Sequence, residues 1–304
     1  MKHKQAILLF GPTASGKTKL AIDIAKKLNG EIVNADSMQI YKEIKILSAR
    51  PIDQDIKHHL YGFISAKNNF SVGSWYKLAV EKIKEIKKKN KIAIVTGGTG
   101  LYFKVLVDGL AQIPDVPKID YGYLNPTGRL MMKNHYQKIY PKIFEGINTN
   151  DIQRVSRAIS VYNATGITLN KWQKKKNKKY FNSKEFIKIC LIPPKLALEE
   201  KIKNRFLDML KKGAIQEVKK YRDLNLSLHT LHSANSIIGL KEIELFLAKK
   251  ISMEDLKGQV LIKTRQYAKR QFTWQRGQMK DWKGFTDINY LDLRKKVLSY
   301  LSKT

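Results

Sequence analysis

The chain has 304 residues, 43% of them apolar, enough to bury one large core or two smaller ones. Its single cysteine, Cys190, excludes an internal disulfide and a cysteine-built zinc site, and no apolar run has the length of a membrane span or the form of a secretory signal, so a cytoplasmic protein away from membranes is expected. The net charge of +32, with 48 Lys and 10 Arg, points to a polyanionic partner such as nucleic acid.

A lysine excess can also reflect an AT-rich genome. The charge is unevenly placed, however: residues 117–304 carry a net +23 and residues 1–116 only +9. Codon bias alone gives no reason for that asymmetry.

Residues 6–10 form a continuous apolar run of buried-strand type. Gly11-Pro12-Thr13-Ala14-Ser15-Gly16-Lys17-Thr18 follows, matching G-x-x-x-x-G-K-[ST] at every position. Apolar residues at helical spacing then predict a helix over 17–28. Strand, glycine-rich loop and helix in this order make a phosphate site: backbone N–H groups and the helix N-terminus face an anion. Lys17 adds charge, and Thr18 offers a hydroxyl to Mg2+. The chain is therefore expected to hold a di- or triphosphate.

Residues 31–36 read as a second strand ending in Asp36. In an open parallel sheet that carboxyl edge faces the ligand crevice. A carboxylate there can help hold magnesium or take a proton from a nucleophile. Asp-Ser is equally a good helix-capping pair, and spacing does not choose between these roles. A helix over 70–89 and an apolar strand over 92–95 follow. That strand runs into Gly97-Gly98-Thr99-Gly100, a turn that either admits a ligand closely or simply starts the next helix, 101–107. No carboxylate ends this strand, so the second acid by which P-loop hydrolases hold magnesium is missing. This argues against an ATPase or motor and leaves a small-molecule kinase open.

Pro114, Pro117, Gly122, Pro126 and Gly128 punctuate a linker. Residues 130–169 are helical in pattern, interrupted at Pro141 and Gly146, and residues 174–179 are a lysine run of charged-loop type. Residues 185–192 read as a strand, with Cys190 a small buried apolar residue. Pro193-Pro194 opens one long helix to about residue 221, and two more helices are expected over 235–248 and 253–276. The fold class is α/β, a parallel P-loop sheet flanked by helices, with a core of 1–119 and 182–304 and a helical insertion at 120–181.

Several blocks in order together resemble the tRNA dimethylallyltransferases (tRNA isopentenyltransferases) of bacterial type. They are the loop at 11–18, Asn34-Ala35-Asp36-Ser37-Met38-Gln39-Ile40-Tyr41-Lys42, Ser48-Ala49-Arg50-Pro51 and His58-His59-Leu60-Tyr61-Gly62. Gly97-Gly98-Thr99-Gly100-Leu101-Tyr102, Asn150-Asp151-Ile152-Gln153-Arg154-Val155-Ser156-Arg157-Ala158 and Thr264-Arg265-Gln266-Tyr267-Ala268-Lys269-Arg270-Gln271-Phe272-Thr273-Trp274 complete the set.

The resemblance implies transfer of a dimethylallyl group from dimethylallyl diphosphate to N6 of the adenosine just 3′ of the tRNA anticodon, with pyrophosphate leaving. It implies catalytic roles for Asp36, Lys17 and Thr18, with Asp36 as proton acceptor. The diphosphate would lie on Gly11, Pro12, Thr13, Ala14, Ser15, Gly16, Lys17 and Thr18, in particular on the amides of residues 13–18, with Mg2+ near Thr18. Asp36, Ser37, Met38 and Gln39 would line the extruded base, and Thr99 would lie near the tRNA strand. Gln153, Arg154, Val155, Ser156 and Arg157, then Lys269, Arg270, Gln271 and Arg276, would contact the anticodon stem-loop, placing the insertion on tRNA. Ser236 stands where relatives often carry Arg or Gln, so a diphosphate contact there is not carried over, nor is a tRNA contact near Tyr121. A monomer is the default expectation. On the residues alone, a P-loop small-molecule kinase and a non-catalytic RNA-binding protein remain the alternatives.

Overall fold

The computed structural model describes residues 4–51, 55–116, 126–175, 177–224 and 233–304. The first strand, β1 (Ala6–Phe10), is wholly buried and leads through the phosphate loop into α1 (Lys17–Leu28). Then come β2 (Gly30–Asn34), the two-residue β3 (His58–His59), α2 (Val72–Lys88), β4 (Ile92–Gly97) and α3 (Gly100–Asp108). Three helices follow: α4 (Pro126–Ile139), α5 (Ile152–Thr165) and α6 (Leu169–Lys174). The chain returns to the sheet at β5 (Phe186–Leu191), then runs through α7 (Lys195–Lys211), α8 (Ala214–Arg222), α9 (Leu240–Leu247), α10 (Met253–Gln278), β6 (Lys283–Phe285) and α11 (Tyr290–Ser302).

The six strands form one parallel sheet in the order β3-β2-β4-β1-β5-β6. Alternate residues of each strand point to opposite faces. Leu8, Phe10, Val33 and Val95 pack under α2 and α3, whereas Ile7, Leu9, Ile32 and Ile94 pack under α1 and α11. Both faces are covered, so the strands read as continuous apolar runs. A third cluster joins residues 40–47 to α7, α8, α9 and α10. A fourth, built on Ile143, Phe144, Val155, Ala158 and Ile159, holds α4, α5 and α6 together.

Two expectations change. The single long helix after Pro194 is two helices, because Gly213 takes φ +96° between α7 and α8. The 235–248 helix begins only at Leu240, after a short 3-10 turn at Ser233–Ser236. The sequence pattern also passes over β3, β6 and α11. The expected break between residues 119 and 120, Pro117, Gly122 and Tyr121 lie outside the described residues.

Candidate active site at the carboxyl edge of the sheet

Three loops meet where β1, β4 and β2 end side by side. Gly11 N–H donates to Gly97 O at 3.3 Å, and Thr99 N–H donates to Ala35 O at 3.1 Å. The contact is close enough that a Cβ on Gly97 would lie 2.1 Å from the Ala35 carbonyl, so this position takes glycine.

The phosphate loop turns through left-handed Ala14 (φ +61°) and Gly16 (φ +84°). Lys17 is 8% exposed and its Nζ donates to Pro12 O at 3.1 Å. Burial pushes its ammonium down to about 8, opposed by the charge of Asp36 and reinforced by that of Arg205. The Ser15 hydroxyl is buried and has no partner, as expected of a group that awaits a ligand oxygen. Two of the amides at residues 13–18 are engaged within the protein: Thr13 N–H is held by Gln271 Oε1 at 2.8 Å, and Ser15 N–H by Pro12 O at 3.2 Å. The first amides of α1, at Lys17 and Thr18, have no intrahelical acceptor.

Asp36 follows β2 and is 8% exposed. Asn34 fixes its turn: Asn34 Oδ1 accepts Asp36 N–H at 2.8 Å, and Nδ2 donates to Asp36 O and Leu60 O at 2.9 Å. The indole N–H of fully buried Trp75 donates to Asn34 O at 2.8 Å, and its ring stacks on Tyr102 at 4.1 Å. Asp36 Oδ1 accepts Met38 N–H at 3.0 Å, the local turn bond open to such a residue. The charge of Asp36 acts on Lys17, Arg205 and Tyr267, so all four groups converge.

Thr13, Asp36, Arg205, Thr264 and Tyr267 give the polar side of a cavity of about 200 Å³. Met38, Leu47, Ile202, Phe206, Met209 and Ile237 give its apolar side. Arg205 reaches from α7 to donate to Thr13 Oγ1 at 3.0 Å. Glu217 on α8 accepts the N–H groups of Lys45, Ile46 and Leu47 at 2.6, 2.7 and 2.9 Å and so sets Leu47 in the wall. Sequence reading missed Arg205 and Glu217. Neither lies in a motif; in hindsight each is a charged residue on a helix whose apolar positions face the core, a weak signal.

The other expected residues divide. Ser37 and Thr99 are adjacent: Ser37 N–H donates to Thr99 Oγ1 at 2.9 Å. Ser236 lines the cavity. Lys269, Arg270 and Arg276 are exposed on α10, with Arg270 at the cavity wall. Gln153 and Arg154 are exposed on α5 and Arg157 is half-buried, away from the cavity. Four residues expected at tRNA have buried side chains. Val155 and Ser156 are 3% and 5% exposed inside the α5 packing, because they fall on its inward face. Gln39 is 8% exposed, its amide nitrogen engaged with Ser48 O and Ala49 O. Gln271 is 4% exposed and tied to Thr13 N–H and Gly98 O.

Comparison with known proteins shows the family. A family model described as IPP transferase matches residues 39–278. The tRNA dimethylallyltransferase of Pelagibacter ubique is 44% identical over 292 residues, covering 92% of this chain and 91% of that one. The chain belongs to this family. The tRNA dimethylallyltransferase of Parvibaculum lavamentivorans is 39% identical over 98% of this chain and 96% of its own length. Among solved structures, the tRNA isopentenylpyrophosphate transferase of Bacillus halodurans superposes with a TM-score of 0.70 at 26% identity, covering 99% and 96% of the two chains. A eukaryotic dimethylallyltransferase acting on tRNA gives 0.78 at 27% identity, covering 97% of this chain and 77% of that one. The IPP transferase fold thus spans the P-loop sheet and the basic helices alike. Among the described residues, no helix is long and apolar enough to cross a membrane.

Proposed function

We propose that this family member transfers a dimethylallyl group from dimethylallyl diphosphate to N6 of the adenosine 3′-adjacent to the anticodon in the tRNA stem-loop, releasing pyrophosphate. The observation that carries this reading is the shared cavity. A phosphate loop, a buried carboxylate and an apolar wall meet in one space, matching a diphosphate, a proton donor and a hydrocarbon chain.

The N6 lone pair attacks C1 of the allylic chain while the C1–O bond breaks, and its electron pair leaves with pyrophosphate. Asp36 accepts the proton that N6 loses. Lys17 and Arg205 balance the charge growing on the departing diphosphate, and the buried Ser15 hydroxyl is free to donate to it. An aromatic amine is a weak nucleophile, so holding it in line with C1 supplies much of the rate. The apolar wall keeps water from the allylic carbon.

The donor set also suits magnesium, which binds through one or two protein oxygens and mainly through substrate phosphates. Thr18 would hold it, and it would neutralise charge on the diphosphate. The unpartnered Ser15 hydroxyl in the loop fits a phosphate-borne ion of that kind. One copy of the chain holds every group named, which supports a monomer.

Incubation with dimethylallyl diphosphate, magnesium and unmodified tRNA, followed by mass spectrometry of the nucleosides, should yield prenylated adenosine. Absence of that product, or ATP turnover without tRNA, would sink the reading.

A further inference from the structure

The middle of α10 faces two ways. Lys269, Arg270, Thr273 and Arg276 are exposed. Tyr267, Gln271 and Trp274 lie on the opposite side, at the spacing that places residues on one helical face. Each meets one residue of the turn after β4. Gln271 Nε2 donates to Gly98 O at 2.9 Å. The Tyr267 hydroxyl lies near the Thr99 side chain. Trp274 covers Gly100 so closely that a Cβ there would come within 2.1 Å of the indole.

Gln271 does more than hold the turn. Its Oε1 accepts Thr13 N–H at 2.8 Å, so one buried amide joins the phosphate loop after β1 to the turn after β4. Thr13 is also the residue gripped by Arg205. On the other side, Thr99 Oγ1 accepts Ser37 N–H at 2.9 Å, next to Asp36. Beside the backbone bonds Gly11 N–H to Gly97 O and Thr99 N–H to Ala35 O, a side-chain path from the diphosphate seat to the proton acceptor runs through this amide. Ala14, just beyond Thr13, is held at φ +61°, a conformation that needs fixed neighbours in a non-glycine residue.

We propose that Gln271 is a positioning residue for the diphosphate: it fixes the phosphate loop against the Gly98–Thr99 turn and so sets the leaving group's place relative to Asp36. This rests on the prenyl-transfer reading above. It also separates Gln271 from its sequence neighbours, since Lys269 and Arg276 face outward, where the tRNA contacts are expected. A shift of about 1 Å at a reacting centre can cost a hundredfold in rate.

The amide accepts from Thr13 N–H and donates to Gly98 O together; of the two forms of a carboxyl at this place only the protonated acid can do the same. Gln271→Glu therefore gives a signature that a purely structural role does not. Steady-state kinetics in both substrates, tRNA stem-loop binding by fluorescence anisotropy, and melting temperature should be measured for the wild type, Gln271→Ala, Gln271→Glu and Lys269→Ala. Expected for Gln271→Ala is a rise of about tenfold in KM for dimethylallyl diphosphate, a fall of about tenfold in kcat, and stem-loop affinity within about twofold of wild type. Lys269→Ala should show the reverse, weaker stem-loop binding at unchanged diphosphate KM.

For Gln271→Glu, kcat/KM relative to wild type should rise as the pH falls through the ionisation of the new carboxyl. Lys17 on α1, Arg205 on α7, Asp36 after β2 and Tyr267 on α10 face this cluster in both proteins; the new carboxylate would raise the Lys17 value, so the ratio is read below pH 7, where Lys17 stays charged in both. A flat ratio overturns the proposal, whether or not Gln271→Ala folds. So does a Gln271→Ala protein with unchanged diphosphate kinetics or with its loss confined to stem-loop binding. If the wild type itself makes no prenylated adenosine, the prenyl-transfer reading falls first.

Discussion

Raising the pH from 7 to 9 should loosen the phosphate loop's hold on its ligand about tenfold, through Lys17 alone. Burial lowers the Lys17 ammonium from 10.5 to about 8 in the unliganded protein. About nine-tenths of it is then charged at pH 7 and about one-tenth at pH 9. An anion selects the charged form, so affinity follows that fraction. Dimethylallyl thiodiphosphate is a suitable slow-reacting probe, titrated by calorimetry in two buffers of different ionisation enthalpy. Binding at pH 9 should take up close to one proton per site. Asp36 raises the Lys17 value, so Asp36→Asn should move the profile to lower pH. The sign for folding is opposite. A lysine with a folded value below its unfolded one binds more protons unfolded, so the unliganded protein gains stability as pH rises from about 8 to 10.5. That gain is about 3 kcal/mol at most. Flat affinity from pH 7 to 9, or proton release on binding, would refute the reasoning.

Asp36→Ala should keep stem-loop binding and lose about a hundredfold or more of kcat, read in single-turnover assays. Met209→Ala removes side-chain volume from the apolar wall, so kcat/KM for geranyl diphosphate relative to dimethylallyl diphosphate should rise about tenfold. Gly97→Ala forces a methyl to 2.1 Å from the Ala35 carbonyl and should cost about 3 kcal/mol, seen as a fall of several degrees in Tm.

The core sheet was legible because its strands are buried on both faces. Residues 6–10 and 92–95 carry no polar residue to blur the pattern, and the loop at 11–18 is its own signature. The edge strands were not. β3 and β6 contribute two and three residues, too few to show a period. Site residues were legible where the backbone chemistry is local. Asp36 stands just past a strand end, which the strand pattern locates, and Lys17 opens α1 inside the loop signature. Arg205 and Glu217 act through tertiary contacts of helices α7 and α8 at long sequence separation, and nothing in their own neighbourhoods marks them. Gln271 shows what a block match leaves out. The resemblance implies a tRNA contact for the block as a whole, whereas the helix turns one side inward and the amide goes with it.

The strand order explains why the carboxylate follows β2 and not β4. A P-loop hydrolase needs an acid close to the phosphates, to hold the metal. An alkyl transfer needs its proton acceptor on the far side of a carbon and a nitrogen. Both β1 and β2 pair with β4, so their ends lie two strand spacings apart, about 10 Å. The strand between them ends in Gly97 and Gly98, roofed by the Gln271 amide, and brings no side chain of its own into the gap. In-line displacement, as proposed above, would then have its leaving group over β1 and its base beyond β2. Moving the acid to the end of β4 would close that gap and turn the site toward phosphate hydrolysis.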